Sequence, residues 1–446
     1  MERGGVPHRA VASGCVASEG GAPFVARRAM NLHGCAPRSS YSGGTPGSAY
    51  RPGVGRFTSL RPPSCGDSAG GIALCGFITV FMKRSTKEYP RIAGWISGAL
   101  LRWFRTAARP MAWRETRDPY RIWVSEVMLQ QTRVGTVAPY YDRFLLKFPD
   151  VRSLAVAPLD DVMKAWEGLG YYSRARNLHR AAGIVVTRHG AGVPRTVEAL
   201  EALPGIGRST AGAIAAIAFG ADVPILDANA RRVVARLFAV EGDPRSATVE
   251  NILWERSARL VRKGTGRDTA LAMMDLGAVV CLPKAPRCGE CPLRSRCSSC
   301  LRGLQDSIPE KRRKTAVPHH DVVAALVRRK DGALFLMRRP SDGLLGGLWA
   351  FPSGRRNPGE TLEGALRRSV REKLHVRAVI QREVGAVPHA YSHYRITLHG
   401  FLCEASGGAL PAGEGTGWLP GHGEGTFALP RADRKLFDII QREEEE

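Results

Sequence analysis

The sequence predicts a multidomain chain: an all-α domain followed by a smaller α+β domain. Three observations carry this. Apolar residues recur at helical spacing from Ile92 to Ala107 and almost throughout Tyr120 to Cys297. Beyond Val322 the pattern turns to alternation, as in strands. Four cysteines, Cys281, Cys288, Cys291 and Cys297, close the helical stretch with six, two and five residues between them. The length of 446 residues allows two to three domains, and 65 Lys and Arg against 41 acids leave a charge of +24, which favours polyanionic partners. The longest apolar run, Gly71 to Met82, is too short to cross a bilayer, so a soluble protein is expected.

Taken in order, residues 1–88 read as a disordered or non-native extension, rich in Gly, Ser, Pro and Ala. The first eighty residues hold eight Arg, no Lys and three acids. Such a composition fits an upstream start with Met82 as the true one, or alternatively an organellar transit peptide. Residues 89–300 form the helical domain. Helices are expected at Ile122–Val134, Val137–Phe148, Leu159–Gly168, Ala175–His189, Val197–Ala202, Arg208–Phe219, Ala228–Ala239, Val249–Leu260 and Thr269–Val280. Residues 301–317 make a basic linker containing Lys311-Arg312-Arg313-Lys314. The α+β domain spans 318–446, with strands expected at Val322–Arg328, Ala333–Met337, Val376–Glu383 and Arg395–Glu404 and a helix at Leu362–Leu374.

Crowded thiolates in a chain without a secretory signal point to a metal or an iron–sulfur cluster, because four anionic sulfurs need a cationic core. One compact run over seventeen residues favours [4Fe–4S]; zinc sites more often use two separated pairs. Cys300 reads as a spare thiol, Cys403 as a small buried hydrophobe, and Cys15, Cys35, Cys65 and Cys75 are scattered. A cluster beside DNA-binding elements suggests DNA repair.

Leu203-Pro204-Gly205-Ile206-Gly207, continued by Arg208-Ser209-Thr210-Ala211-Gly212, reads as a helix–hairpin–helix. Gly205 and Gly207 would let the backbone approach a phosphate, and the N–H groups opening the next helix would bind it. Asp227 stands at the mouth of a helix, a place also natural for a plain N-cap. Glu126 lies among Ile122, Trp123, Val127, Met128 and Leu129, which leave little polar face; a pocket carboxyl with raised pKa follows.

Asp118-Pro119-Tyr120, Ser125-Glu126-Val127-Met128-Leu129-Gln130-Gln131-Thr132, Gly168-Leu169-Gly170-Tyr171-Tyr172, the hairpin, Asp227 and the cysteine run together resemble the adenine DNA glycosylases, the MutY family, from roughly Trp103 to Phe437. The resemblance implies a helix–hairpin–helix glycosylase domain with a [4Fe–4S] loop at 281–297 and a Nudix-like recognition domain. It implies excision of adenine mispaired with 8-oxoguanine or guanine in double-stranded DNA, by a monomer, in a bacterial cytoplasm beside the nucleoid. Glu126 resembles the family's catalytic acid, Asp227 the carboxylate facing the sugar cation, Asn229 the residue orienting it, and Tyr171 a wedge in the base stack. Leu129, Gln131 and Tyr171 are candidates for filling the gap and contacting the opposite base, and Thr132 is a further DNA-binding candidate. Ser209 stands where the lyase relatives carry a lysine, which implies a monofunctional enzyme; an endonuclease III-like lyase acting on oxidised pyrimidines is the alternative. Ala228 replaces the family's usual glycine, costing about 1 kcal/mol if that position needs positive φ.

Gly354, Glu360, Arg368 and Glu372 follow the spacing of a Nudix box, but Ser369 and Lys373 replace two of its glutamates and His375 its glycine. Without those carboxylates, metal-dependent pyrophosphate hydrolysis is not expected. The family's Phe-Ser-His loop appears as Tyr391-Ser392-His393, so the domain is expected to read the oxidised purine without hydrolysing nucleotides.

Overall fold

The computed structural model describes residues 88–310, 316–391, 393–422, 425 and 427–445. The N-terminal extension with its four scattered cysteines and Met82, the run Lys311 to Lys314, and Ser392 lie outside the described residues.

The helical part runs α1 (Glu88–Ala107), α2 (Pro119–Leu129), α3 (Val134–Lys147), α4 (Val151–Val156), α5 (Leu159–Ala165), α6 (Ser173–His189), α7 (Val197–Glu201), α8 (Arg208–Phe219), α9 (Ala228–Leu237), α10 (Ala247–Ala258), α11 (Gly266–Asp275) and α12 (Ser298–Leu301). Two cores organise it. One gathers Trp123, Val127, Phe144, Trp166, Leu178 and Ile214. The other gathers Leu100, Ile217, Val234, Leu253 and Met273 and takes in the cysteine loop. Helix α8 contributes to both, since Ala211, Gly212, Ala213, Ile214, Ala215 and Ala216 are buried on every side. Small residues there let α2 and α11 pack closely on it.

The helix expected to run from Ile122 to Val134 is instead broken into α2 and α3. Gln131 takes a left-handed conformation (φ 57°). The reason is Arg174, whose Nη1 donates to the carbonyls of Val127, Met128 and Gln130 at 3.0, 2.7 and 2.6 Å. The guanidinium satisfies carbonyls that the end of α2 leaves without a following turn.

Beyond α12 the chain forms β1 (His319–Val327), β2 (Leu334–Arg338), β3 (Trp349–Ala350), β4 (Ser353–Arg355), α13 (Leu362–Leu374), β5 (Arg377–Ala390), β6 (Arg395–Ser406), β7 (Thr416–Leu419) and α14 (Arg431–Glu445). A four-stranded sheet of order β4-β1-β6-β5 has β1 and β6 parallel, and β3-β2-β7 form a second, antiparallel sheet. From Val322 onward strand β1 reads as an unbroken apolar run because both its faces are covered there. Val323, Ala325 and Val327 pack with Leu366, Val370 and Leu374 of α13. Ala324 and Leu326 pack with Leu436, Phe437 and Ile440 of α14. Cys403 is fully buried in β6, as its sequence context predicts.

The second domain is docked on the first. Leu348 and Ala428 join the helical core, Arg338 pairs with Asp160 at 2.7 Å and Arg434 with Glu167 at 3.1 Å.

Candidate active site

Glu126 and Asp227 reach one cavity of about 450 Å³ from two helices, α2 and α9. Helix α2 is started by Asp118, which accepts from the N–H groups of Tyr120 and Arg121, with Pro119 in the first turn. Its face bearing Ile122, Trp123 and Val127 is buried, which leaves Glu126 at the cavity wall. Among the described residues no hydrogen bond or ion pair satisfies the Glu126 carboxyl. Burial first, and the Asp227 charge second, push its pKa up to about 7 against an opposing pull from Arg114. Arg114 is held back by Asp275, which accepts from its Nη1 at 2.7 Å and its Nη2 at 2.8 Å.

Asp227 is both an N-cap and a cavity residue: it accepts from Ala230 N–H at 2.7 Å. Burial pushes its pKa up as well, while the N–H groups of Ala230 and Asn229 and the charges of Arg232 and Arg231 pull it down. Asn229 lines the same cavity and accepts from Arg232 Nη2 at 2.9 Å. Arg232 also donates to the carbonyls of Gly277 and Cys281, both at 2.7 Å, which ties the aspartate's helix to the cysteine loop. The strain expected at Ala228 is absent, because Ala228 opens α9 without a positive φ.

Leu129, Thr132 and Ser209 also line the cavity. Ser209 Oγ accepts from Leu226 N–H at 3.2 Å, so the hydroxyl steadies the segment leading to Asp227. Gln131 and Tyr171 do not line it; both are exposed beside it, each with positive φ (57° and 48°). Arg174 joins these two turns, since its Nη2 donates to the Leu169 and Gly170 carbonyls at 3.3 and 2.9 Å.

The hairpin follows the sequence reading. Gly205 has φ +79°, and a Cβ there would sit 2.7 Å from Asn177 Cβ. Gln130 Nε2 donates to Thr210 Oγ1 at 3.1 Å and to the Gly205 carbonyl at 3.3 Å, fixing hairpin against α2. Gly207 caps α8 without a side chain, so that helix opens with free N–H donors.

Cys281, Cys288, Cys291 and Cys297 all line one small cavity of about 30 Å³ with Arg236. Cys300, read as a spare thiol beyond the run, lines it too. Burial and mutual repulsion raise the pKa of Cys288 to about 11 and of Cys291 to about 12. Arg236 Nη1 lies 3.4 Å from Cys281 Sγ. Among the described residues no three His, Cys, Asp or Glu side chains are set to grip a single metal ion.

In the second domain Tyr391 is half-buried and packed against His389 and Tyr394, with ring centroids 4.6 and 5.1 Å away, while His393 is exposed. Tyr391 lies within electrostatic reach of Tyr172, so its loop is close to the turn bearing Tyr171. Arg368 binds Glu360 at 2.8 Å and Glu372 at 3.3 Å, occupying two of the remaining Nudix-box acids. Ser369 is buried with its Oγ unpartnered.

Sequence reasoning missed Arg114, Arg174 and Arg232. Arg174 had one available signal, a guanidinium three residues after Tyr171 on the apolar-facing side of α6.

Comparison with known proteins bears on both halves. Residues 124–259 match the HhH-GPD superfamily base excision DNA repair proteins, and residues 323–438 match the NUDIX domain. The adenine DNA glycosylase of Homo sapiens is 35% identical over 405 residues, covering 77% of this chain and 73% of that protein. That of Buchnera aphidicola subsp. Baizongia pistaciae is 35% identical over 254 residues, 57% of this chain and 72% of its own length. A thermostable thymine-DNA glycosylase of known structure aligns at 32% identity with TM-score 0.44, over 48% of this chain and 98% of that one. With two carboxyls in one cavity beside a helix–hairpin–helix and a Nudix domain docked behind it, the chain belongs to the adenine DNA glycosylase family of base excision repair enzymes.

Proposed function

We propose that this protein excises adenine paired with 8-oxoguanine or guanine in duplex DNA, without cleaving the strand. The observation that carries this is Glu126: an unpaired, enclosed carboxyl with pKa near 7 shares a cavity with Asp227 and with no amine. Two such carboxyls cannot readily both be ionised. Asp227 accepts from the Ala230 N–H and has Arg232 and Arg231 nearby, whereas Glu126 accepts no hydrogen bond among the described residues and has only the pull of Arg114, whose guanidinium is engaged by Asp275; this difference favours the shared proton on Glu126.

A flipped adenine entering the cavity takes that proton at N7 and departs as a neutral base when the C1′–N9 bond breaks. Asp227 faces the positive charge left on the sugar. Glu126, now anionic, accepts a proton from the water that adds to C1′. Ser209 offers no amine for a Schiff base, so the product is an intact abasic strand. Leu129, Thr132, Gln131 and Tyr171 fill the vacated stack, Gly205 and Gly207 present the hairpin to phosphate, and Tyr391, Ser392 and His393 read the opposite purine.

The four cysteines suit a [4Fe–4S] cluster: all of them reach one cavity, their repulsion calls for a cationic core, and they come from one compact run of seventeen residues. Cys281, Cys288, Cys291 and Cys297 would hold it, with Cys300 beside them. When bound, it would cross-link the 281–297 loop that Arg232 ties to Asn229.

The test is a duplex with adenine opposite 8-oxoguanine, compared with and without alkali. Strand breaks only after alkali are expected; breaks without it would indicate lyase chemistry, and no adenine release would refute the reading.

A further inference from the structure

The Nudix-like domain holds a second cavity, of about 270 Å³, near the lower end of the roughly 300–1,000 Å³ usual for small-molecule sites. Its walls combine three chemistries. Lys373, Arg339 and Arg355 supply three cations, none of them in an ion pair among the described residues. Lys373 is exposed and donates to the Ser353 carbonyl, in a position where a Nudix box carries a metal-binding glutamate. Tyr391 and Tyr394 supply an aromatic wall, and the Arg355 guanidinium lies 5.5 Å from the Tyr394 ring. Asp433, buried with its backbone-facing oxygen accepting from Phe351 N–H at 3.1 Å, supplies a carboxyl without an ion-pair partner.

Each part has a match in one class of ligand. A phosphate needs several cations, and in this domain an ammonium replaces the divalent ion that Glu360 and Glu372, both engaged by Arg368, no longer hold. A base needs an aromatic face. A carboxylate pairs with adjacent N–H donors, which the Watson–Crick edge of guanine presents and that of adenine does not. We propose that this cavity is a metal-independent binding site for a free guanine nucleoside phosphate, with the phosphate on Lys373, Arg339 and Arg355, the base against the tyrosines, and Asp433 on its donor edge. The nucleotide is bound and not hydrolysed, and the site is separate from the adenine cavity.

The experiment is calorimetric titration of the full chain with dGMP in the presence of EDTA. Saturable one-to-one binding is expected, tighter for dGMP than for dAMP or inorganic phosphate. Lys373→Met should weaken it at least ~10-fold, as loss of a charge-assisted contact does, and so should Arg355→Gln, an exposed change that spares the fold. Asp433→Asn should erase the preference for dGMP over dAMP. Glu126→Gln should leave binding untouched. The proposal is overturned by an absence of saturable binding, by a requirement for Mg²⁺, or by equal affinity for inorganic phosphate. Unchanged affinity in both cation variants would also overturn it, as would loss of binding in Glu126→Gln, which would put the ligand in the adenine cavity. Displacement of dGMP by an undamaged guanine-containing duplex at similar concentration would assign the site to the polymer and equally overturn it.

Discussion

Gly277 lies so close against Asn229 that a Cβ on the glycine would sit 2.5 Å from Asn229 Cβ and 2.9 Å from its Cα. The contact presses the segment after α11 onto the first turn of α9, the turn that carries Asp227.

Gly277→Ala is therefore expected to push Asn229 and Asp227 out of register. Overpacking of this kind costs about 1–3 kcal/mol. Single-turnover adenine excision should fall at least ~10-fold, since small misplacements of reacting groups are costly, while the circular dichroism spectrum is retained. Wild-type excision by this variant would remove the contact from the account.

Arg174 holds six carbonyls of two turns, and removing it leaves buried acceptors unpaired. Arg174→Lys cannot reproduce the fork. Chemical denaturation should show a loss of about 1–3 kcal/mol, and duplex affinity should drop because Gln131 and Tyr171 lose their left-handed turns. An unaltered affinity would show that those turns are not DNA contacts.

The pH dependence follows from Glu126. Its pKa is raised from 4.5 to about 7 in the folded chain, so the native state binds the proton more tightly than the unfolded state. The resulting stability is complete below pH 4.5 and is lost as pH rises through about 7. Glu126→Gln should consequently melt higher than wild type at pH 8 and lose that advantage toward pH 4.5. Over the same window the wild-type excision rate should decline above pH 7, as protonated acid is depleted. A rate that climbs steadily from pH 6 to 9 would assign the proton to another group.

The purified chain should carry on the order of four iron atoms, with a broad visible absorbance bleached by acid. Cys291→Ser should reduce iron content and soluble yield together. Stoichiometric zinc in place of iron would refute the cluster.

Much of this architecture was legible in the sequence. Helices Arg208–Phe219 and Leu362–Leu374 are found at their expected limits because each is bounded by a strong local signal: Gly207 before and Gly220 after the first, and Thr361 before the second. Glu126 was legible because its apolar neighbours leave a carboxylate no solvated face. The break at Gln131 was not, because it depends on Arg174, forty-three residues away, and an arginine on an amphipathic helix ordinarily reads as surface. The link from Asn229 to Cys281 through Arg232 was hidden for the same reason. Long-range hydrogen bonds from arginine to backbone leave no periodicity to detect. Strands β3, β4 and β7 and helix α14 went unread as well, the strands being only two to four residues long.

The central claim, that Glu126 delivers the proton, is tested most directly by single-turnover adenine release from a duplex with adenine opposite 8-oxoguanine, comparing wild type with Glu126→Gln. The amide keeps the shape and cannot donate an acidic proton, so a loss of at least ~10²-fold with duplex affinity preserved is predicted. A Glu126→Gln enzyme that releases adenine at the wild-type rate would contradict the account.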